Sequence, residues 1–259
     1  MDLETLLLDR KGHTLLLTLN RPENLNSYNE VMHRELNEVW DQVNADDGIW
    51  TVVTTGAGRA FCAGADMKEA SVGQSKGQLG PPRWEAGVDA LGGYRHEGRP
   101  GTGLPRPEMG FPAKVLISAI NGICCGDGLG WLYRADFAIC SERAIFFDPH
   151  VNVCITPPSL QNMPLCAART SAFAIELLGN PYRTDAKRAL ELGLVTEVVP
   201  HEQLLERALE VAEEVNRYSG GSAGATKAFH WATHDMNYKD AHDATWSFLN
   251  QASLLDWGK

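Results

Sequence analysis

No stretch of this 259-residue chain approaches the ~20 consecutive apolar residues that a bilayer-crossing helix needs. The start, Met1-Asp2-Leu3-Glu4, lacks the basic residues of a secretory leader, so a cytoplasmic, non-membrane protein is expected. A surplus of cations is missing too. The formal net charge is −10, and without clustered Lys and Arg no nucleic-acid partner is expected. The six cysteines form no CxxC pair, and no His/Cys set stands at ligand spacing, so no metal site is expected. Most of them sit in apolar surroundings and read as reduced, buried small hydrophobes. Neither GxxxxGK[ST] nor GxGxxG occurs, which disfavours the nucleotide folds built on those loops. Internal repeats are absent. What remains, at 44% hydrophobic and 22% charged, is an ordinary globular composition.

The periodicity predicts strands over 3–8 and 14–19, joined at Lys11-Gly12. Leu15, Leu17 and Leu19 make one face wholly apolar, and the other is partly so. Asn26 or Ser27 is placed to cap a helix over about 28–44, where Met32, Leu36, Val39, Trp40 and Val43 recur at helical spacing. Ile49–Thr54 reads as a buried strand. Further strands are predicted over 113–120, 135–140, 144–147 and 195–199. Helices are predicted over 160–178, 185–192, 202–217, 223–234 and 239–255. Residues 73–110 hold ten Gly and five Pro, too many for regular structure; such a length reads equally as a substrate-covering flap or as a disordered insertion.

Two junctions carry the chemistry. In the first, a strand leaves through Gly56-Ala57-Gly58 into Phe61-Cys62-Ala63-Gly64-Ala65-Asp66-Met67-Lys68. In the second, a strand ends at Asn121-Gly122 and runs through Cys124-Cys125-Gly126-Asp127-Gly128-Leu129-Gly130 into a helix. Small residues bring bare backbone close to whatever lies above the sheet. Two such turns side by side can aim two N–H groups at one oxygen, as an oxyanion hole requires. Packing and phosphate binding are the competing uses. His150 follows a strand, with Asp148 two residues earlier; imidazole can give or take a proton near neutral pH, or merely hydrogen-bond backbone. Cys124 and Cys125 read as core, and Lys68 and Lys227 as solvated surface.

Taken together, these motifs resemble the crotonase superfamily of enoyl-CoA hydratases and isomerases. Leu19-Asn20-Arg21-Pro22 with Asn24-Leu25-Asn26-Ser27 is similar to its N-terminal signature. Ala60–Glu69 and Ala119-Ile120-Asn121-Gly122 with the following turn resemble its two oxyanion motifs. Ala186, Leu190, Gly193-Leu194-Val195 and Val198-Val199-Pro200 resemble its "A…GLV…VVP" segment. The resemblance implies an α/β fold: a ββα spiral core over 1–200 and a helical region over 201–259 that builds trimers or hexamers and covers the site. It implies an acyl-CoA thioester substrate, with CoA entering as part of the substrate and no further cofactor. The thioester oxygen would be held by the N–H groups of Ala65 and Asp127. Leu25, Ala63, Asp66, Met67, Gly126 and Phe248 would line the substrate and CoA path. The family's hydratases use two glutamates. Aligned without gaps, these fall at Gly130 and His150, so both carboxylates are replaced. Three expectations stay open: a lyase or isomerase with His150 as acid/base, a hydrolase in which His150 activates water, and a non-catalytic CoA-binding member.

Overall fold

The computed structural model describes residues 2–68, 114–154, 168–217, 220–233 and 236–245. Two sheets and the helices around them account for most of these. Strands β1 (Leu6–Lys11) and β2 (Thr14–Leu19) form an antiparallel hairpin at one edge of the larger sheet. The order then runs to β3 (Thr51–Gly56), β5 (Val115–Ile120), β7 (Phe137–Ser141) and β10 (Glu197–Val199), each parallel to its neighbour. The smaller sheet takes β4 (Ala60–Cys62), β6 (Ile123–Cys125) and β8 (Ile145–Phe147) in parallel, then β9 (Thr184–Asp185) antiparallel. Each long strand therefore turns directly into a short one: β3 into β4, β5 into β6, β7 into β8. Every repeat advances one place in both sheets, which is the expected spiral.

The alternation seen in β2 divides the core as predicted. Leu15, Leu17 and Leu19 face a cluster that includes Met32, Leu36, Val39, Trp40 and Val43 of helix α1 (Glu30–Ala45) and Phe61 and Phe146 of the smaller sheet. Leu16, Val53, Ile117 and Ile139 face the other way and are covered by Leu204, Ala208 and Ala212 of helix α5 (Leu204–Asn216). Between α1 and α5 in sequence lie α2 (Leu129–Arg134), α3 (Arg169–Leu178) and α4 (Ala186–Glu191), and α6 (Gly220–Thr233) follows α5.

Several expectations are corrected. β1 lies three residues later than predicted and β3 two residues later. The cap of α1 is Asn29, whose side chain accepts from the Met32 N–H. Asn26 is unavailable for that task because it is buried as a clamp. Its Oδ1 accepts from the Arg21 N–H at 2.8 Å, and its Nδ2 donates to Ala57 O and Ala60 O at 2.9 and 2.8 Å. Lys227 is not a solvated lysine: its Nζ is buried against Asp136 at 2.7 Å and Lys114 O at 2.9 Å, pinning α6 to the start of β5. Cys62, Cys124, Cys125 and Cys140 are buried free thiols, whereas Cys154 is exposed. The 73–110 stretch, Cys166 and the end of the last predicted helix lie outside the described residues.

Tight backbone contact holds the strand-to-strand turns together. A Cβ on Gly122, after β5, would sit 2.1 Å from Arg59 O, so only glycine lets the β5–β6 turn lie on the β3–β4 turn. Asn121 completes the contact: Oδ1 accepts from the Gly56 N–H at 3.2 Å, and Nδ2 donates to Gly58 O at 2.9 Å. A substitution Asn26→Leu keeps the volume but strands the Arg21 N–H and Ala57 O. Urea unfolding should show a loss of about 2–4 kcal/mol, and a loss under 0.5 kcal/mol would contradict the clamp.

Candidate active site

The first turn is shaped by Tyr28. Its N–H donates to Gly64 O and its O accepts from the Asp66 N–H, both at 2.8 Å, in a parallel bridge centred on Ala65. Because the flanking residues make the bonds, Ala65 directs its own N–H and C=O away from Tyr28. Ala65 is exposed, Ala63 half-buried, and the Ala63 N–H donates to Leu25 O at 3.0 Å. Leu25 itself has φ 54°, a left-handed conformation that returns the chain after Pro22–Asn24. Asp66 is turned to Arg21, with Arg21 Nη2 at 3.0 Å, while Arg21 Nη1 donates to Ser27 O at 2.6 Å. Its carboxylate thus ties the turn to the N-terminal segment. Met67 and Lys68 are exposed.

The second turn meets the first. Gly126–Gly128 form one 3-10 turn leading into α2, so the Asp127 N–H lies at a helix start. An ideal Cβ on Gly64 would stand 3.2 Å from Asp127 N and 3.4 Å from Gly126 Cα. Gly64 has φ 86° and Gly126 φ 56°. The two glycine turns are thus in backbone contact. Gly130 is buried in α2.

His150 stands over this contact. It opens a 3-10 turn, His150–Val153, directly after Asp148-Pro149. One oxygen of Asp148, Oδ1, accepts from the His150 backbone N–H at 2.8 Å and meets Nδ1 at 2.6 Å. With Nδ1–H donating to a carboxylate, the neutral ring keeps its lone pair on Nε2. Nε2 lies 3.7 Å from Asp127 Oδ1, and a Cβ on Gly126 would be 3.7 Å from His150 Cε1. Burial alone would lower the His150 pKa. The hydrogen bond and charge of Asp148, with the charges of Asp127 and Glu176, outweigh it and raise the value.

The neighbouring thiols are quiet. Burial pushes Cys125 up to about 12 and Cys62 well above its ordinary value, so both keep their protons. Trp131 Nε1 donates to Tyr28 OH beneath the junction. Tyr133 is part of the core. Among the described residues no group of three or more His, Cys, Asp and Glu could hold a metal ion, and no helix is long and apolar enough to cross a membrane. Phe248 lies outside the described residues, as do Trp84 and Tyr94, two side chains able to donate a hydrogen bond to a substrate. Sequence reasoning missed Arg21, which holds Asp66, and Glu176, an acid inside the apolar run of α3. The signal for Glu176 was its place between Ile175 and Leu177.

The description of enoyl-CoA hydratase/isomerase matches residues 111–251, and a second match to the same description covers residues 14–87. The chain belongs to the enoyl-CoA hydratase/isomerase family. A probable enoyl-CoA hydratase from Rhizobium meliloti is 34% identical over 220 residues, covering 85% of this chain and 78% of that protein. The 1,2-epoxyphenylacetyl-CoA isomerase of Escherichia coli is 33% identical, over 78% of this chain and 72% of its own. A crystal structure of a family enzyme from Mycobacterium paratuberculosis superposes with a TM-score of 0.78 at 34% identity, covering 96% of this chain and 89% of the other. The fold is therefore the crotonase fold, and the chain is an enzyme of the hydratase/isomerase family.

Proposed function

We propose that this chain is an acyl-CoA lyase or isomerase that stabilises a thioester enolate between its two glycine turns and moves the proton with His150. The carrying observation is the anchored imidazole: Asp148 fixes Nδ1, and Nε2 is presented at the Gly126–Asp127 turn that Gly64 touches. The Ala65 and Asp127 N–H groups are the donors to the thioester oxygen. As Nε2 removes a proton from the acyl chain, the electron pair moves onto that oxygen, and the donors hold the charge. The imidazolium then returns the proton to a different carbon in an isomerase, or to a departing group in a lyase. Two-carboxylate hydration is not available, since Gly130 and His150 stand at the aligned positions.

Leu25, Ala63, Met67 and Gly126 line the acyl and CoA path in this reading, and Asp66 holds its loop. CoA enters as part of the substrate, with no metal or further cofactor. The 201–259 region covers the site and joins copies into a homotrimer or hexamer in the cytoplasm. The Escherichia coli relative, a 1,2-epoxyphenylacetyl-CoA isomerase, supports the substrate class.

A hydrolase is the second reading, favoured by the same Asp148–His150 pair. There Nε2 takes a proton from water, hydroxide attacks the carbonyl carbon, and the C–S bond of a thioester or the C–C bond of a β-diketone breaks. The proton then passes to the departing thiolate or carbanion. A panel of enoyl-CoA, acyl-CoA and cyclic 1,3-diketone substrates separates the readings. Double-bond movement or elimination supports the first, and release of free acid the second. Binding of CoA thioesters without turnover would leave a CoA-binding protein and overturn both.

A further inference from the structure

Behind His150 lies a carboxyl group that the proposed reaction does not use. Glu176 projects from α3, which packs against the His150–Val153 turn. It is 1% exposed, and neither carboxyl oxygen has a hydrogen-bond partner among the described residues. Asp148 is wholly buried, and its Oδ2 is also unpartnered among the described residues, since both donors of His150 go to Oδ1. Three buried, unpartnered acceptor oxygens thus belong to the two acids packed around the His150 turn. A buried carboxylate without donors is costly, and the group avoids that cost by keeping its proton. Burial, and next the charge of Asp148, push the Glu176 carboxyl up to about 7, while the His150 charge pulls it back.

We propose that Glu176, the buried and unpartnered carboxyl on the helix packed against the His150 turn, is a positioning residue that tightens the grip of His150 on its own proton when it ionises. With Glu176 neutral, the imidazolium faces two carboxylates, Asp148 at Nδ1 and Asp127 3.7 Å from Nε2. When Glu176 loses its proton, a third negative charge enters the same surroundings and the imidazolium is stabilised further. The remaining charged neighbours do not replace this effect. Asp127 faces Nε2 from the other side, and Arg183 acts on Cys125, whose thiol burial keeps protonated. Two groups coupled in this way titrate as a pair over a broad range. The name positioning residue rests on the proton-moving role given to His150 above, but the test reads the imidazole itself.

The measurement is a pH titration of the full chain labelled with carbon-13 at histidine Cε1 and glutamate Cδ, followed by NMR. The His150 signal is assigned from its loss in His150→Gln. In the wild type, His150 should titrate more broadly than a single site. In Glu176→Gln it should become a one-proton curve with its midpoint lowered by roughly half to one pH unit, and Glu176→Asp should restore the coupling. An unchanged His150 curve in a natively folded Glu176→Gln protein overturns the proposal. Should that variant fail to fold, the wild-type Glu176 carboxyl signal decides: a midpoint near 7 supports the proposal, and one below 5 overturns it. Coupled titration without turnover of any thioester would refute the enzymatic reading and leave the coupling standing.

Discussion

Replacing His150 with alanine is expected to lower turnover of a competent CoA thioester by ~10²–10⁴-fold, the usual contribution of a positioned acid/base, with thioester affinity changed by less than about threefold. The separation follows from the geometry. His150 meets the glycine turns through its ring edge, whereas the donors assigned to the thioester oxygen are backbone N–H groups of Ala65 and Asp127, which the substitution leaves in place. The proton-accepting form of His150 is the neutral ring. Since the Asp148 hydrogen bond and the surrounding carboxylates outweigh burial and raise its pKa, that form appears only at higher pH than for an ordinary histidine. The ascending limb of the pH–rate profile should therefore lie above pH ~6.5 and vanish in His150→Ala. Asp148→Asn should retain the ring near its place and lower that limb, because it removes the charge that favours the imidazolium. Equal kcat in wild type and His150→Ala would remove His150 from the chemistry.

Gly64→Ala should cost ~10²–10³-fold in turnover, the range for losing one oxyanion donor, although a single methyl is added. Its Cβ would lie 3.2 Å from both Asp127 N and Cys125 O, on a backbone at φ 86°. The neighbouring atoms are backbone, so the two turns must part for the methyl to enter. Gly12→Ala is the matched control: φ there is 59°, with nothing within 4 Å of an added Cβ. It carries a comparable left-handed strain of about 1 kcal/mol far from the junction. It should lose stability without losing kcat. Steady-state kinetics and urea unfolding of the pair would show whether the closeness of the turns, and not glycine flexibility in general, supports the reaction.

The spiral was legible wherever local patterning and tertiary packing agree. The alternation in β2 anticipated a sheet covered on both faces, because Leu15, Leu17 and Leu19 meet α1 while Leu16 meets α5. Both glycine turns could be found because close backbone approach demands small residues. Strand ends shifted where propensity is weak: Ile49 and Trp50 are as strand-like as β3 itself, yet the parallel ladder begins at Thr51 opposite Thr14. Polar residues were the hard part. Asn26, Asn29 and Lys227 each have several plausible roles in sequence, and long-range contacts decide among them. Asn26 holds segments 31 and 34 residues away, and Lys227 reaches a carbonyl 113 residues away. Glu176 was missed for the same reason, since its nearest charges come from another element.

Exchange of substrate protons with solvent tests the central claim most directly. A saturated acyl-CoA that cannot complete isomerisation is incubated in deuterium oxide with wild type, His150→Ala and Gly64→Ala, and deuterium at the carbon next to the thioester carbonyl is followed by NMR. The account predicts enzyme-dependent exchange in the wild type and a loss of at least 10²-fold in both variants. Exchange at the wild-type rate in His150→Ala, or bound thioester with no exchange in the wild type, would contradict an enolate formed between these turns by this histidine.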